Sequence, residues 1–238
     1  MRVLLFHSHW YFSMIHALMT AAHQSRIRYG KRKTPFLGEV SASDFISGNA
    51  LAAAIGLISG TAQHSEAGWL KFLDPIDNKT KYVAKRAFRY GLSWNHIHNV
   101  GAVYGTRTIV IAGKTYRVRV FKGAASDPTT VAINTYDHPG THGSEWNRLM
   151  YRISARPFGD INNTLASEGI DSGDWAAYTE AELLTHHSHG HGALSWCQEI
   201  KGSDRLWRGH GGVSLAYFNA PSYLSNYYGW RPILELVE

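Results

Sequence analysis

Cys197 is the only cysteine among 238 residues, and this removes the usual fastening of a loop-rich chain. No intramolecular disulfide can form, and no cysteine-based zinc site can be built. Yet from Lys122 to Gly229, short aromatic pieces are interrupted by Gly, Ser, Asp, Asn, Thr and Pro, so long loops are expected there. Burial and hydrogen bonding must hold them. The chain has 44% hydrophobic residues and 13% aromatics, with 8 Trp and 13 Tyr, but only 18% charged residues. Cys197 beside Trp196 reads as a small buried hydrophobe. A surface of Gly, Ser, Thr, Asn, His and Tyr suits adaptable recognition, because Tyr and Trp give contact area at low entropy cost. The same composition suits a β-rich core.

The net charge of +6 is concentrated at one end. Residues 1–34 hold Arg2, Arg26, Arg28, Lys31, Arg32 and Lys33 with no Asp or Glu, and the remainder is neutral. Phe6, Trp10, Met14, Leu18 and Ala22 recur at helical steps, and residues 24–35 form a basic linker ending at Pro35. Residues 1–34 are therefore expected to be a partly helical, basic N-terminal arm, and residues 35–238 the main domain. A basic block can bind nucleic acid, an acidic membrane or an acidic protein. The body has no matching basic stripe, so no nucleic-acid function is expected. Residues 1–22 imitate a signal peptide, but His7, His9 and His16 break the apolar stretch. It reads as a retained segment, too polar to enter a membrane.

Along the domain, Ser43 or Asp44 is expected to cap a short helix through residues 49–55, with Gly56 ending it. Strands are expected over 68–73 and 81–85, joined through Asp77-Asn78-Lys79-Thr80. Ser93 should cap a helix starting at Trp94. Residues 108–112 and 115–120 read as a hairpin turning at Gly113-Lys114, with Arg117 and Arg119 on one face and Tyr116, Val118 and Val120 on the other. Residues 144–152 should be helical, and residues 231–237 should form the last strand.

Four phrases follow in order: Gly143-Ser144-Glu145-Trp146-Asn147, Ser195-Trp196-Cys197-Gln198-Glu199, Leu206-Trp207-Arg208-Gly209, and Gly229-Trp230-Arg231-Pro232-Ile233-Leu234-Glu235-Leu236. Together they resemble the C-type-lectin-like domains of phage tail and fibre proteins. The variable proteins of diversity-generating retroelements and formylglycine-generating-enzyme-like domains share that frame. The resemblance spans roughly residues 36–238. It implies an α+β, loop-rich antiparallel sheet with short helices, whose closing strand meets a strand near the domain's start. It also implies a structural virion protein of the tail or tail fibre, extracellular in the particle and made in the host cytoplasm. On this reading the arm contacts other virion proteins, the protein is a homo-oligomer, and a host-surface glycan or protein is its ligand. A capsid or tail decoration protein touching only virion proteins is the alternative, and a surface-glycan hydrolase the third.

The physics of the phrases points mainly to scaffold. Trp146, Trp196 and Trp230 can each bury roughly 150–250 Å². Arg208 and Arg231 can satisfy loop carbonyls or pair with Glu145 or Glu199. Gly209, Gly211, Gly212 and Gly229 permit tight turns. In the resembling family the interval before the closing strand faces the ligand. Trp207, His210, Tyr217, Phe218, Asn219, Tyr223, Asn226, Tyr227 and Tyr228 are thus the expected ligand-binding residues, with Tyr217, Phe218, Asn219, Tyr223, Tyr227 and Tyr228 partly exposed on one face beside Trp207 and His210.

Other chemistry is poorly provided for. His186, His187, His189 and His191 could chelate a transition metal, but no carboxylate or cysteine completes a pattern, so a polar loop is expected and no cofactor. Asp160, Asn162, Asn163, Asp171 and Asp174 offer oxygens for calcium, without the motifs of calcium-binding lectins. The single cysteine excludes a formylglycine-generating cysteine pair. Glu168, Asp171, Asp174, Glu180 and Glu182 could hide a glycosidase pair, but sequence distance does not report their separation. A non-enzymatic protein is expected.

Overall fold

The computed structural model describes residues 35–129, 135–136, 139–155 and 172–237. The proposed arm, residues 1–34, lies outside them. So do Asp160, Asn162, Asn163, Glu168 and Asp171, four of which figured among the calcium oxygens and two among the glycosidase carboxylates. Among the described residues no helix is long and apolar enough to cross a membrane.

The domain is α+β, with mostly antiparallel sheets and few helices. β1 (Phe36–Val40) leads to α1 (Gly48–Ile55). Ser47, not Ser43 or Asp44, caps this helix by accepting from the Ala50 N–H. Asp44 instead accepts from the Ser41 hydroxyl. Gly56 ends the helix in the left-handed region at φ 75°, where a residue without Cβ is favoured. β2 (Thr61–Ala62) is followed by β3 (Trp69–Leu73) and β4 (Thr80–Ala84), an antiparallel pair as expected. After β5 (Arg89–Tyr90) comes α2 (Trp94–Asn99), capped by Ser93. β6 (Tyr104–Ile111) and β7 (Lys114–Arg119) form the expected hairpin. Its turn lies at Ala112-Gly113, one residue earlier than expected, because both residues take positive φ, 48° and 77°, the demand of a two-residue hairpin turn.

Short β8 (Thr135–Tyr136) precedes α3, residues 145–153, whose middle is a π-turn over Asn147–Tyr151. The wider turn falls where Asn147 is held at both ends of its amide. Its Nδ2 donates to the Thr141 carbonyl at 3.0 Å, and its Oδ1 accepts from Arg208 at 2.7 Å. α4 (Glu180–Leu183) then leads to β9 (Leu194–Lys201), β10 (Asp204–Gly209), β11 (Leu215–Asn219), β12 (Tyr228–Trp230) and β13 (Ile233–Leu236).

One sheet runs β1-β3-β4-β13-β7-β6, the other β2-β5-β12-β9-β10-β11-β8. The closing strand β13 starts at Ile233, two residues later than expected, and lies between β4 and β7. Alternate residues of each sheet enter different cores. Trp69, Ala84, Val118 and Leu234 share one cluster with Trp196, Trp207 and Tyr228. Leu70, Phe72, Val83 and Ile233 share the other with Cys197, Leu206, Phe218 and α3.

Buried polar groups pin these layers. Glu145 accepts from both Arg119 terminal nitrogens, at 2.8 and 2.6 Å, and pairs with Lys81 at 2.9 Å. Burial alone would raise its pKa, but Arg119 and Lys81 outweigh burial and hold its carboxyl far below the ordinary value. Arg208 and Arg231 satisfy loop carbonyls, not Glu145 or Glu199. Arg208 donates to Gly123 at 2.7 Å, and Arg231 to Lys85 at 2.6 Å and to Leu183. Glu199 instead accepts the Gly123 N–H, and burial pushes its carboxyl up to about 7.

Candidate functional site

The hairpins β9–β10 and β10–β11 carry the centre of the expected recognition segment. Trp207 lies opposite Trp196 on one side and Tyr217 on the other, so the three rings form a row across one sheet face. Leu206 pairs with Phe218 on the reverse face. Phe218 is therefore a core residue at 8% exposure and is withdrawn from the ligand face. This follows from strand alternation: Tyr217 and Phe218 are successive residues of β11 and must point opposite ways.

The remaining residues divide by depth. Tyr228, expected to be partly exposed, is buried at 4%, and Trp207 beside it is buried at 7%. Tyr228 stacks on Trp196 with centroids 4.5 Å apart, and burial raises its phenol to about 12. Its hydroxyl accepts from Asn219 at 2.9 Å, which leaves Asn219 half-buried. Tyr217, Tyr223 and Tyr227 are 38%, 47% and 43% exposed, and Asn226 is exposed. Buried rings join the exposed ones. Trp207 meets Tyr217 at 5.6 Å and Tyr228 at 6.3 Å, and Tyr228 meets Tyr223 at 5.4 Å. The Trp207 indole N–H is buried without an acceptor among the described residues.

The structure also brings the histidine loop to this face, a juxtaposition the sequence did not disclose. His210 has φ 74°, in the left-handed region that few non-glycine residues occupy. Its ring lies 6.2 Å from Trp207, 5.1 Å from Tyr227 and 4.5 Å from His187, stacked on the last. His187 stacks in turn on His186 at 4.3 Å. The backbone fixes this meeting: His186 bridges Gly211, and the Gly212 N–H donates to the Thr185 carbonyl. Gly209 is required beneath it, since a Cβ there would stand 2.4 Å from the Ala193 carbonyl oxygen. His187 Nδ1 is 2.8 Å from the His210 carbonyl oxygen. A carbonyl can only accept, so Nδ1 carries the proton and Nε2 is the free nitrogen of the neutral ring.

The other predicted residues separate. His191 packs on Tyr90 at 4.7 Å, away from the His186–His187–His210 stack. His186 Nδ1 is engaged with the Ser188 hydroxyl at 2.6 Å. Among the described residues, no three His, Cys, Asp or Glu side chains are placed to hold a metal ion. Asp174 lies 3.8 Å from Arg152. Glu182 is consumed in the cap of α4, accepting from the Thr179 N–H at 2.7 Å and hydroxyl at 2.8 Å.

Residues 209–230 contain no Asp, Glu, Lys or Arg. What the site offers is ring faces, phenol hydroxyls and imidazoles. Such groups can bind by stacking and neutral hydrogen bonds. No family model matches the chain, and neither the curated proteins nor the solved structures contain a match.

Proposed function

We propose that this chain is a non-enzymatic structural component of a virion tail or tail fibre, whose C-type-lectin-like domain binds a host-surface ligand. The observation that carries the reading is the group of exposed Tyr217 and Tyr223, joined through buried Trp207 and Tyr228, with exposed Tyr227 joined to Trp207 through His210. Core tyrosines would not be left two-fifths exposed, and scattered surface ones would not share a buried anchor. The C-type-lectin-like frame is supported by three features. The closing strand enters the sheet of β1, a helix carries Glu145-Trp146, and a strand carries Arg208-Gly209. In this reading the basic arm attaches the domain to other virion proteins in a homo-oligomer, and the tyrosine face looks outward.

The test is binding of the protein to arrayed bacterial surface polysaccharides, compared with Ala variants at Tyr217, Tyr223 and Tyr227. Truncating a central hot-spot tyrosine should cost about 2 kcal/mol or more of binding. The variant's melting temperature should barely move, because an exposed ring contributes little to the core. Unchanged binding in all three variants refutes the assignment of this face.

A further inference from the structure

The tyrosine face continues past Asn219 to a charged residue outside the aromatic segment. Arg205 and Trp207 are alternate residues of β10, so they share a face, and they stand opposite Asn219 and Tyr217 of β11. Asn219 in turn donates to the Tyr228 hydroxyl at 2.9 Å, and Tyr228 packs on Tyr223. α2 borders the same loop, since the Asn95 N–H donates to the Pro221 carbonyl at 3.0 Å. We propose that Arg205 is the charged end of this face, and that the ligand is an acidic glycan whose carboxylate or phosphate oxygens meet its guanidinium. The inference rests on the reading of the face as a ligand site and names the ligand's class.

The guanidinium is held before any ligand arrives. Arg205 is half-buried, and its guanidinium carbon lies 4.6 Å from the centre of the Trp94 ring, a stacking that suits a planar cation. Trp94 is itself fixed: it is buried, its indole N–H donates to the Cys197 carbonyl at 2.9 Å, and His98 stacks on it at 4.7 Å. Arg205 Nη1 donates to the Ser203 and Asp204 carbonyls at 3.1 and 3.0 Å. These contacts set both the plane and the rotation of the group.

One edge of the guanidinium remains open. Nε is buried without an acceptor among the described residues, and no described residue accepts from Nη2, the nitrogen on the same edge. The carboxylates of the surrounding turns take other donors. Asp204 accepts from the Ser203 hydroxyl at 3.5 Å, and Asp127 accepts from the N–H of Ile200, the β9 partner of Arg205, at 2.9 Å. A buried N–H with no acceptor costs free energy. A carboxylate or phosphate presents two oxygens to that edge and satisfies both nitrogens in one bidentate contact. A sugar hydroxyl offers one oxygen and no charge. On this assignment the tyrosines carry the sugar ring, and Arg205 selects its substituent.

The test uses the full-length protein in about 0.15 M salt, where long-range attraction to the basic residues 1–34 is weakened. The probes are matched pairs: short oligogalacturonate with its fully methyl-esterified counterpart, and mannotriose with and without a terminal phosphate. At least one acidic probe should bind roughly ten-fold or more tighter than its uncharged counterpart, and which pair shows it separates carboxylate from phosphate. Arg205→Gln should remove that preference. Arg205→Lys should not restore it, because lysine keeps the charge and lacks the fork. Arg117→Gln removes the same charge from an exposed residue of the other sheet and should keep the preference. In the wild-type protein the Arg205 Nε–H resonance should shift on titration with the preferred probe, a readout that needs no variant to fold. A preference retained in Arg205→Gln, one lost equally in Arg117→Gln, or an unmoved Nε–H resonance overturns the inference. Equal binding of acidic and uncharged partners also overturns it, and leaves the face intact as a site if Tyr223→Ala weakens that binding. Absence of binding by every probe overturns both the inference and the reading beneath it.

Discussion

Replacing Glu145 by Gln tests whether the layers are held by the buried charge network. The side chain is 2% exposed, and the amide has nearly the same volume as the carboxylate, so packing is preserved and the change is electrostatic. The Glu145→Gln variant would leave Arg119 with Glu235, at 2.9 Å, and Lys81 with Asp74, at 2.6 Å. Arg119 keeps one carboxylate and Lys81 keeps two, since it also pairs with Asp77 at 2.7 Å, which places the loss at the lower end of the 3–5 kcal/mol range for breaking a buried pair, about 3 kcal/mol at pH 7. For a domain of this size that is a melting shift of roughly 6–12 °C. The pH dependence is more discriminating. Glu145 is held far below its ordinary 4.5, so its stabilisation is present above pH 4.5 and is lost as pH falls, because the unfolded chain takes up the proton first. At pH 3 the difference between the two proteins should have shrunk by about 2 kcal/mol, at about 1.4 kcal/mol per pH unit. Urea unfolding followed by tryptophan fluorescence at pH 7 and pH 3 measures both. A loss below about 1 kcal/mol at pH 7, or a difference that does not shrink in acid, would show that Glu145 is not the carboxylate that holds the network together.

Trp230→Ala should cost roughly 3–5 kcal/mol, since the ring is fully buried and its removal leaves a large cavity; differential scanning calorimetry beside Tyr223→Ala makes the contrast between core and face. Gly229→Ala should destabilise by about 1–3 kcal/mol or more, because the new Cβ would stand 2.4 Å from the Gly192 carbonyl oxygen and 2.7 Å from the Ala87 Cβ. A Gly229→Ala protein as stable as wild type by urea unfolding would contradict the parallel β9–β12 pairing.

Local physics made part of the fold readable. β3, β4, α2 and the β6–β7 hairpin follow from period-two patterns, from Ser93 and from turn residues, and each stands close to where its residues placed it. The second sheet was not readable in this way. β9 is buried on both faces, with Trp196 in one core and Cys197 in the other. It therefore shows no alternation of apolar and polar residues, and its neighbours looked like loops punctuated by Gly and Ser. The cap of α1 was misplaced for a simpler reason. Ser41, Ser43, Asp44 and Ser47 are all competent caps, and which one serves depends on where the chain first turns helical.

The site was readable by residue type and unreadable by arrangement. The interval before the closing strand contains the exposed tyrosines, but composition cannot say which ring of a consecutive pair faces outward. Tyr217 and Phe218 differ only in register, and the Leu206–Phe218 pairing decides it. The histidines were harder still. His187 and His210 stand 23 positions apart, and their rings meet only because His186 bridges Gly211 while Gly209 lets the backbone pass close to Ala193. A sequence that reads as two unrelated features, a polar loop and an aromatic segment, thus folds into one continuous surface. The joining residue is His210, whose ring stacks on His187 and packs on Tyr227.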